Sequence, residues 1–198
     1  MFYDGVIMKK AIYLQKIGDV EASILIKMKK NLKWVLKEYI DSVKIVKKQI
    51  PIVDFPYNPI SKQYDGSYIF NLLDIMMKKE NHFRTLGVID EDIYVDTLNF
   101  IFGRAKYPKN DFYKYHGLAM ISVARLKENF YRRAPNESLR ELRVLKEAIH
   151  ELGHTFNLGH CNNHCVMQFS KHIGETDDKP VKYCKSCSKK LSFFFGSL

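Results

Sequence analysis

Three histidines and one glutamate lie close together in the segment HELGHTFNLGH, residues 150–160. Positions four apart on an α-helix differ by about 40° around the axis and by about 6 Å along it. His150 and His154 therefore point the same way and are placed to bind one zinc ion from one side. Glu151 lies about 100° round from His150, where its carboxylate can reach a water on that zinc.

His160 can join the other two histidines only if the helix ends before it. A continued helix would turn His160 about 240° away from His154, so the chain must break and fold back. Such a break needs a residue that tolerates positive φ, which Gly159 can supply and for which Asn157 is the next-best residue type. The segment therefore predicts a helix, a sharp turn and a third ligand.

The chemistry predicted by this arrangement is peptide-bond hydrolysis by a zinc-bound water. Three neutral imidazoles leave the zinc its full positive charge and one open position, which lowers the pKa of a bound water towards about 7. Glu151 would take the proton of that water and pass it to the leaving amine. The alternative is an accidental HExxH pattern on a polar helix face. A third histidine at this spacing makes an accident rarer.

All four cysteines of the chain fall in its last fifth, as Cys161-x3-Cys165 and Cys184-x2-Cys187. Two short hooks of this kind are typical of a closed zinc site with a structural role, and an iron–sulfur cluster is the alternative. Neighbouring side chains of an extended backbone point to opposite sides, so His160 and Cys161 would face two different ions. We therefore predict two zinc ions per chain, one catalytic and one structural, with the second fixing the turn that carries His160.

The elements that must position these residues mix strands and helices without regular alternation, which predicts an α+β fold. Apolar residues recur at three- and four-residue steps from Val20 to about Ile40, as in an amphipathic helix that backs a core. Residues 51–66, with three prolines and a glycine, indicate a loop. A capping box of Ser138 and Glu141 predicts the start of the motif helix. Further strands are predicted at 10–16, 43–50, 83–90, 98–105 and 116–126, and a further helix at 69–79.

Composition narrows the class of protein. The chain has 198 residues, 46% of them hydrophobic and 27% charged, as in an ordinary globular protein. No stretch approaches the ~18 apolar residues that span a bilayer. The apolar run from Ala11 to Leu14 is too short for a signal peptide, which predicts a cytoplasmic protein, and Met8 is a second candidate for the start of translation. The net charge of +10 comes from lysines spread along the chain, which favours a solvated surface over a dedicated nucleic-acid site.

The chain is predicted to form two subdomains. Residues 1–159 would contain the sheet, the backing helix and the active-site helix. Residues 160–198 would contain the third histidine and the four cysteines. This second segment has little hydrophobic periodicity, so we expect it to be small, irregular and held by its metal rather than by apolar burial.

The motifs HELGHTFNLGH, CNNHCVM and CKSC together resemble the archaemetzincins, a branch of the metzincin zinc metallopeptidases with an HExxHxxGxxHC core followed by cysteines and a Met-turn. The segment LGVIDEDIYVDTLNFIFGRA is similar to that family too, so the resemblance covers roughly residues 86–187. It implies that Met167 is the Met-turn methionine beneath the catalytic zinc. It also implies an upper subdomain with a twisted mixed sheet, and an edge strand that pairs with extended substrate. Residues 116–126 are our candidate for that strand.

Two positions depart from the family pattern, because Asn157 replaces a glycine and the first cysteine pair is one residue closer together. Three functions follow from these observations. The leading one is a zinc metallopeptidase that acts on peptides or proteins. The others are a zinc-stabilised peptide-binding module without activity and a basic nucleic-acid binder. Glu151 favours the enzyme, because a scaffold does not need a carboxylate at that place.

Overall fold

The computed structural model describes residues 9–198, so Met8 and the residues before it lie outside the described part of the chain. The strands are β1 Ala11–Ile17, β2 Ser42–Ile45, β3 Tyr57–Asn58, β4 Gln63–Asp65, β5 Arg84–Ile89, β6 Ile93–Tyr94, β7 Gly103–Ala105 and β8 Gly117–Ser122. The helices are α1 Ala22–Val35, α2 Gly66–Met77, α3 Asp111–Tyr115, α4 Glu137–Thr155, α5 Ile173–Asp178 and α6 Lys185–Gly196.

The main sheet has five strands in the order β2-β1-β5-β8-β7. The first four run parallel, and β7 is antiparallel to β8 at one edge. The predicted α+β class with a mixed sheet is confirmed. The candidate edge strand at 116–126 is wrong, because β8 lies between two other strands. The edge strand on that side is β7, which has only three residues.

Helices cover both faces of the sheet, which explains why all six residues of β5 and of β8 are buried. Successive side chains of a strand point to opposite faces. Ala119 and Ile121 therefore join the core formed with α1 and α4, while Leu118 and Met120 join a second core formed with α2. Parallel strands in the middle of a sheet commonly carry such continuous apolar runs.

The predicted loop at 51–66 contains β3 and β4, which form a small second sheet with β6 in the order β3-β4-β6. Its strands have two or three residues each, too short for a hydrophobic period to show. Asp65 ends β4 and caps α2, since its carboxylate accepts hydrogen bonds from the backbone N–H groups of Ser67 and Tyr68. The helix predicted at 69–79 therefore begins three residues earlier than expected.

The active-site helix α4 begins differently from the prediction. The cap is Asn136, whose side-chain oxygen accepts a hydrogen bond of 3.0 Å from the N–H of Leu139. The capping box of Ser138 and Glu141 is therefore wrong, and Ser138 lies inside the first turn. Glu141 instead reaches across to α1 and accepts a hydrogen bond from Asn31. This contact joins the backing helix to the active-site helix.

The C-terminal segment contains two helices, α5 and α6, that the sequence analysis did not predict. Its apolar side chains Val166, Met167, Leu191 and Phe194 belong to the same buried cluster as α1 and α4. The division into two subdomains at residue 159 remains a prediction. Within residues 9–198, no helix has both the length and the apolar character needed to cross a bilayer.

Candidate metal centre

The three predicted histidines converge. One ring nitrogen from each of His150, His154 and His160 lies within 4.8 Å of the others. His150 and His154 are buried on α4, and their Nε2 atoms are 3.1 Å apart. His160 is exposed and approaches from beyond the end of the helix. Zinc–nitrogen bonds of about 2.0–2.1 Å place neighbouring nitrogens about 3.3 Å apart in a tetrahedron, so the arrangement suits one ion.

The hydrogen bonds of the two helical histidines decide which nitrogen is free. His150 Nδ1 lies 2.9 Å from the carbonyl oxygen of Val166, and His154 Nδ1 lies 2.7 Å from that of Leu158. A carbonyl only accepts, so both rings carry their proton on Nδ1 and donate it. Their two Nε2 lone pairs then face each other at 3.1 Å. Such an approach is favourable only with a cation between them.

Burial keeps these rings neutral. It lowers the pKa of His150 well below the usual 6.5, with the Lys179 charge as the second cause. Burial also lowers the pKa of His154, to about 4, and the pKa of the more exposed His160 falls for the same reason. At neutral pH a proton therefore does not bridge the two Nε2 atoms. The imidazoles are in the form that binds a metal ion.

The turn between His154 and His160 is formed by Asn157 in the left-handed region, with φ of 65°. Leu158 N–H donates to Gly153 O at 3.0 Å and Asn157 N–H donates to His154 O at 3.1 Å, the two bonds of a Schellman motif. Gly159 does not have positive φ, so the expectation that it forms the break is wrong. Asparagine tolerates this conformation, which explains how it replaces the glycine of the family pattern.

Glu151 is buried and lies against the edge strand β7. A Cβ atom placed on Gly103 would lie 2.5 Å from Glu151 Cγ, so only glycine leaves room for the glutamate there. Burial and the neighbouring Glu147 charge raise the pKa of Glu151 well above 4.5, while Lys179 opposes the shift. Glu151 therefore lies between His150 and His154 in the sequence, and its side chain lies beside the edge strand β7.

The four cysteines form a second convergent group. Their Sγ atoms all lie within 4.8 Å of one another, and those of Cys161 and Cys184 are 3.7 Å apart. Zinc–sulfur bonds of about 2.3 Å give a tetrahedral edge of about 3.8 Å, which agrees with that distance. Burial raises the pKa values of the Cys165 and Cys187 thiols. The backbone N–H of Cys187 lowers the pKa of Cys184 to about 6.

A partly buried tyrosine and a buried methionine connect the two groups. Tyr183 directly precedes Cys184 in the sequence. Its hydroxyl donates a hydrogen bond of 2.9 Å to the carbonyl oxygen of Ile149 on α4. Met167 is fully buried, and its Sδ atom would lie 2.5 Å from a Cβ placed on Gly153. The segment between the cysteines therefore packs directly against the part of α4 that carries the histidines. This location fits the Met-turn expectation for Met167, which stays a prediction.

Three groups near the site were not found from the sequence. Tyr107, just after β7, has its hydroxyl 2.8 Å from His154 Nδ1. The Glu147 carboxylate and the Lys179 ammonium form a buried ion pair of 2.7 Å beside Glu151. Arg84 is fully buried and donates to the side chain and carbonyl of Thr155, at the end of α4. No spacing rule links any of these pairs, which are distant in sequence.

The remaining histidines do not join either cluster. His82 Nδ1 lies 3.2 Å from the hydroxyl of Thr85, and His116 Nδ1 donates to the carbonyl of His82 at 3.0 Å. His164 and His172 are exposed. These four histidines therefore have surface or hydrogen-bonded positions away from both clusters. The two metal-binding candidates among residues 9–198 are therefore the histidine group and the cysteine group.

Comparison with known proteins identifies the family. The profile of Peptidase family M54 matches residues 15–192. The chain belongs to this family. An M54 relative, the archaemetzincin of Methanocaldococcus jannaschii, is 40% identical over 187 residues, which cover 93% of this chain and 94% of the relative.

Solved structures of related proteins share the fold. The archaemetzincin of Methanopyrus kandleri matches with a TM-score of 0.74 at 32% identity, over 96% of this chain and 97% of its own. A zinc-dependent peptidase of Methanocorpusculum labreanum matches with a TM-score of 0.76 at 28% identity, over 91% and 99%. The resemblance to archaemetzincins is confirmed, and it extends well beyond the predicted residues 86–187. The chain is a zinc metallopeptidase of the M54 family, and its substrates are peptides or proteins.

Proposed function

We propose that the chain hydrolyses peptide bonds at a zinc ion held by His150, His154 and His160, with Glu151 as the proton-transferring group. The observation that carries this proposal is the pair of Nε2 lone pairs that face each other at 3.1 Å with their Nδ1 protons already committed to carbonyls. When bound there, zinc supplies Lewis-acid chemistry, since it acidifies water and polarises a carbonyl group.

Glu151 is suited to accept a proton and return it. Its carboxyl group is buried, and burial raises its pKa well above 4.5. A general base works best when its pKa lies closer to the working pH than that of an exposed carboxylate, because it must both take up and release the proton. Glu151 would accept a proton from the attacking water and donate it to the leaving amine.

The edge strand β7 is the proposed support for the substrate backbone. It replaces residues 116–126 in that role, because β7 has one side free of strand partners in the sheet. Gly103 of β7 touches Glu151, so a peptide that paired with this edge would pass close to the carboxylate. Tyr107 follows the same strand and would help to hold the His154 ring in place by packing against it, with the ring centroids 5.0 Å apart.

The four cysteines are proposed to hold a second, structural zinc ion. Their sulfur atoms surround a single point, which suits one tetrahedral ion. An iron–sulfur cluster would need room for its own atoms between the thiolates. The ion would fix Cys161, whose neighbour His160 is the exposed ligand of the catalytic group, and its binding energy would add to folding energy.

The test is peptide cleavage by the zinc-loaded chain with and without a chelator, together with Glu151→Gln. We expect cleavage that chelation abolishes, and a Glu151→Gln variant that retains two zinc ions by native mass spectrometry but is slower by about 10²–10⁴-fold. Glu137→Gln, on an exposed residue of the same helix, is the matched control and should cleave at the wild-type rate. Lack of cleavage across a broad peptide library, or an active Glu151→Gln variant, would contradict the proposal.

A further inference from the structure

An open groove of about 540 Å³ lies beside the turn that follows the active-site helix. Two buried aromatic residues at the end of α4 and in α6, Phe156 and Phe194, contribute to its wall. The other principal lining residues are Pro108, Lys114, Asn157, Lys189, Lys190 and Phe193. None of the zinc-site residues lines it, so the groove is a separate feature of the surface.

The charge of the groove has one sign. Three of its lining residues are lysines, and no aspartate or glutamate lines it. Lys189 and Lys190 are exposed on α6, and neither forms an ion pair with a side chain of residues 9–198. Lys114 Nζ donates to the carbonyl oxygen of Ser197 at 2.7 Å, an interaction that leaves its positive charge uncompensated. Unpaired lysines that surround a concavity create a local positive potential.

The groove also offers an apolar contact. Phe193 is 81% exposed, whereas its neighbour Phe194 is buried in the core. A large aromatic ring in water beside three ammonium groups is a combination that suits a ligand with both apolar and acidic side chains. The lysine stems can pack along such a ligand while their charged ends meet its carboxylates.

Two of the residues that line the groove belong to segments that also contribute to the histidine site. Asn157 lines it and forms the turn between His154 and His160. Pro108 lines it and directly follows Tyr107, whose hydroxyl lies 2.8 Å from His154 Nδ1. Asn157 is three residues from His154 and three from His160, and Pro108 is joined by one peptide bond to a residue that contacts His154.

We propose that this groove binds an acidic segment of the peptide substrate, away from the scissile bond, with Lys114, Lys189 and Lys190 as the carboxylate-binding groups. The inference rests on the proposed function, because it assigns the groove to the substrate of the neighbouring histidine site. A peptide is favoured over nucleic acid because Phe193 is the one exposed aromatic ring among the residues that line the groove, whereas single strands are bound along basic tracks with several stacking aromatic residues.

The experiment measures binding separately from cleavage. Two short fluorescein-labelled peptides, one with Glu and one with Gln at alternate positions, are titrated with the zinc-loaded chain and followed by anisotropy. The test variant is Lys189→Glu/Lys190→Glu on α6. The matched control is Lys29→Glu/Lys30→Glu, which changes two consecutive exposed lysines of α1 and gives the same net charge.

We expect the Glu peptide to bind more tightly than the Gln peptide, and the α6 variant to weaken its binding by about tenfold. The α1 variant should weaken it by less than about twofold, since its lysines lie outside the groove. Where cleavage is detected, an acidic extension should raise kcat/KM in the wild type only. A chain that cleaves no peptide but still shows this binding pattern would refute the proposed hydrolysis. The assignment of the groove to acidic peptides would stand.

Three results would overturn the groove proposal. One is equal affinity for the Glu and Gln peptides. Another is equal weakening in the α6 and α1 variants, which would mean that net charge alone attracts the peptide. The third is tighter binding of a short single-stranded oligonucleotide with the same dependence on Lys189 and Lys190. Circular dichroism spectra that match the wild type would show that both variants remain folded.

Discussion

The histidine group and the cysteine group fit a metal ion in opposite ways. The histidines His150 and His154 lie on a long helix, and backbone carbonyls fix their tautomers and ring orientations. The cysteines lie on turns and on the first turn of α6, where burial favours the protonated thiols of Cys165 and Cys187. The first site is formed by the fold, whereas the second must lose protons when it takes up an ion.

This difference indicates where each ion contributes. A site whose ligands are already neutral and oriented needs little reorganisation, so its ion serves chemistry. A site with two buried, protonated thiols exchanges their protons for metal charge, and the energy gained holds the surrounding segment together. The cysteines join residues 161–165 to residues 184–187 at the start of α6, and the backbone N–H of Val166 donates to the carbonyl of Lys182 beside them.

The largest expected effect is on the free energy of unfolding, which should fall much more when the cysteine site is lost than when the histidine site is lost. Cys184→Ser should lower the free energy of unfolding by more than about 3 kcal/mol and should also impair cleavage, because the turn that carries His160 loses its support. His160→Ala removes an exposed ligand and should abolish cleavage, at a cost of about 1 kcal/mol or less when free zinc is low.

Chemical denaturation and native mass spectrometry would measure both variants, and each should lose one zinc ion. A fully active, equally stable Cys184→Ser chain would show that the cysteine site does not support the active site. An unfolded His160→Ala chain would show that the histidine site is not formed by the fold.

The second effect concerns pH. The low pKa of His154, about 4, means that protons hardly compete for the histidine site above about pH 6.5. The raised pKa values of Cys165 and Cys187 mean that zinc displaces at least those two protons. Zinc affinity of the cysteine site should therefore rise about 100-fold per pH unit near neutrality, while that of the histidine site should stay nearly constant.

Chelator competition in His160→Ala isolates the cysteine site, and recovery of cleavage in the wild type reports on the histidine site. If zinc affinity changed equally with pH at the two sites, the predicted difference in proton release between them would be wrong.

The smallest effect tests the link between the sites. Tyr183→Phe removes the hydrogen bond to Ile149, next to His150, and should cost about 1 kcal/mol of stability. Because the active-site helix loses a positioning contact, kcat should also fall by about tenfold with both zinc ions retained. Tyr131→Phe is the matched control, since it removes a similar bond to the carbonyl of Arg125, far along the chain from the motif. An equal fall of kcat in both variants would show that Tyr183 does not position the active-site helix.

The sequence predicts those parts of the site that depend on local geometry. The helical period fixes the directions of His150 and His154, and the need for a break before His160 follows from the same period. The helical period does not select the residue that makes the break, because Asn157 and Gly159 both tolerate positive φ. The short strand β7 was predicted within a longer segment, 98–105.

Other parts of the structure depend on contacts between distant segments. Strand order is such a property, and it is why residues 116–126 were wrongly placed at the edge of the sheet. Tyr107 reaches His154 across 47 residues, and Arg84 reaches Thr155 across 71. Neither is marked by any period or motif. The helix α6 is not marked by a hydrophobic period either, because lysines, serines and Cys187 make up its first six residues.

Gly103 has a consequence for recognising related chains that have lost activity. A methyl group at this position would collide with Glu151 although no ligand and no catalytic atom had changed. A relative with an intact HExxH motif but with alanine or a larger residue in β7 would be expected to fold, load zinc and fail to hydrolyse. Surveys that sort such chains into enzymes and non-enzymes should therefore inspect this glycine together with the motif.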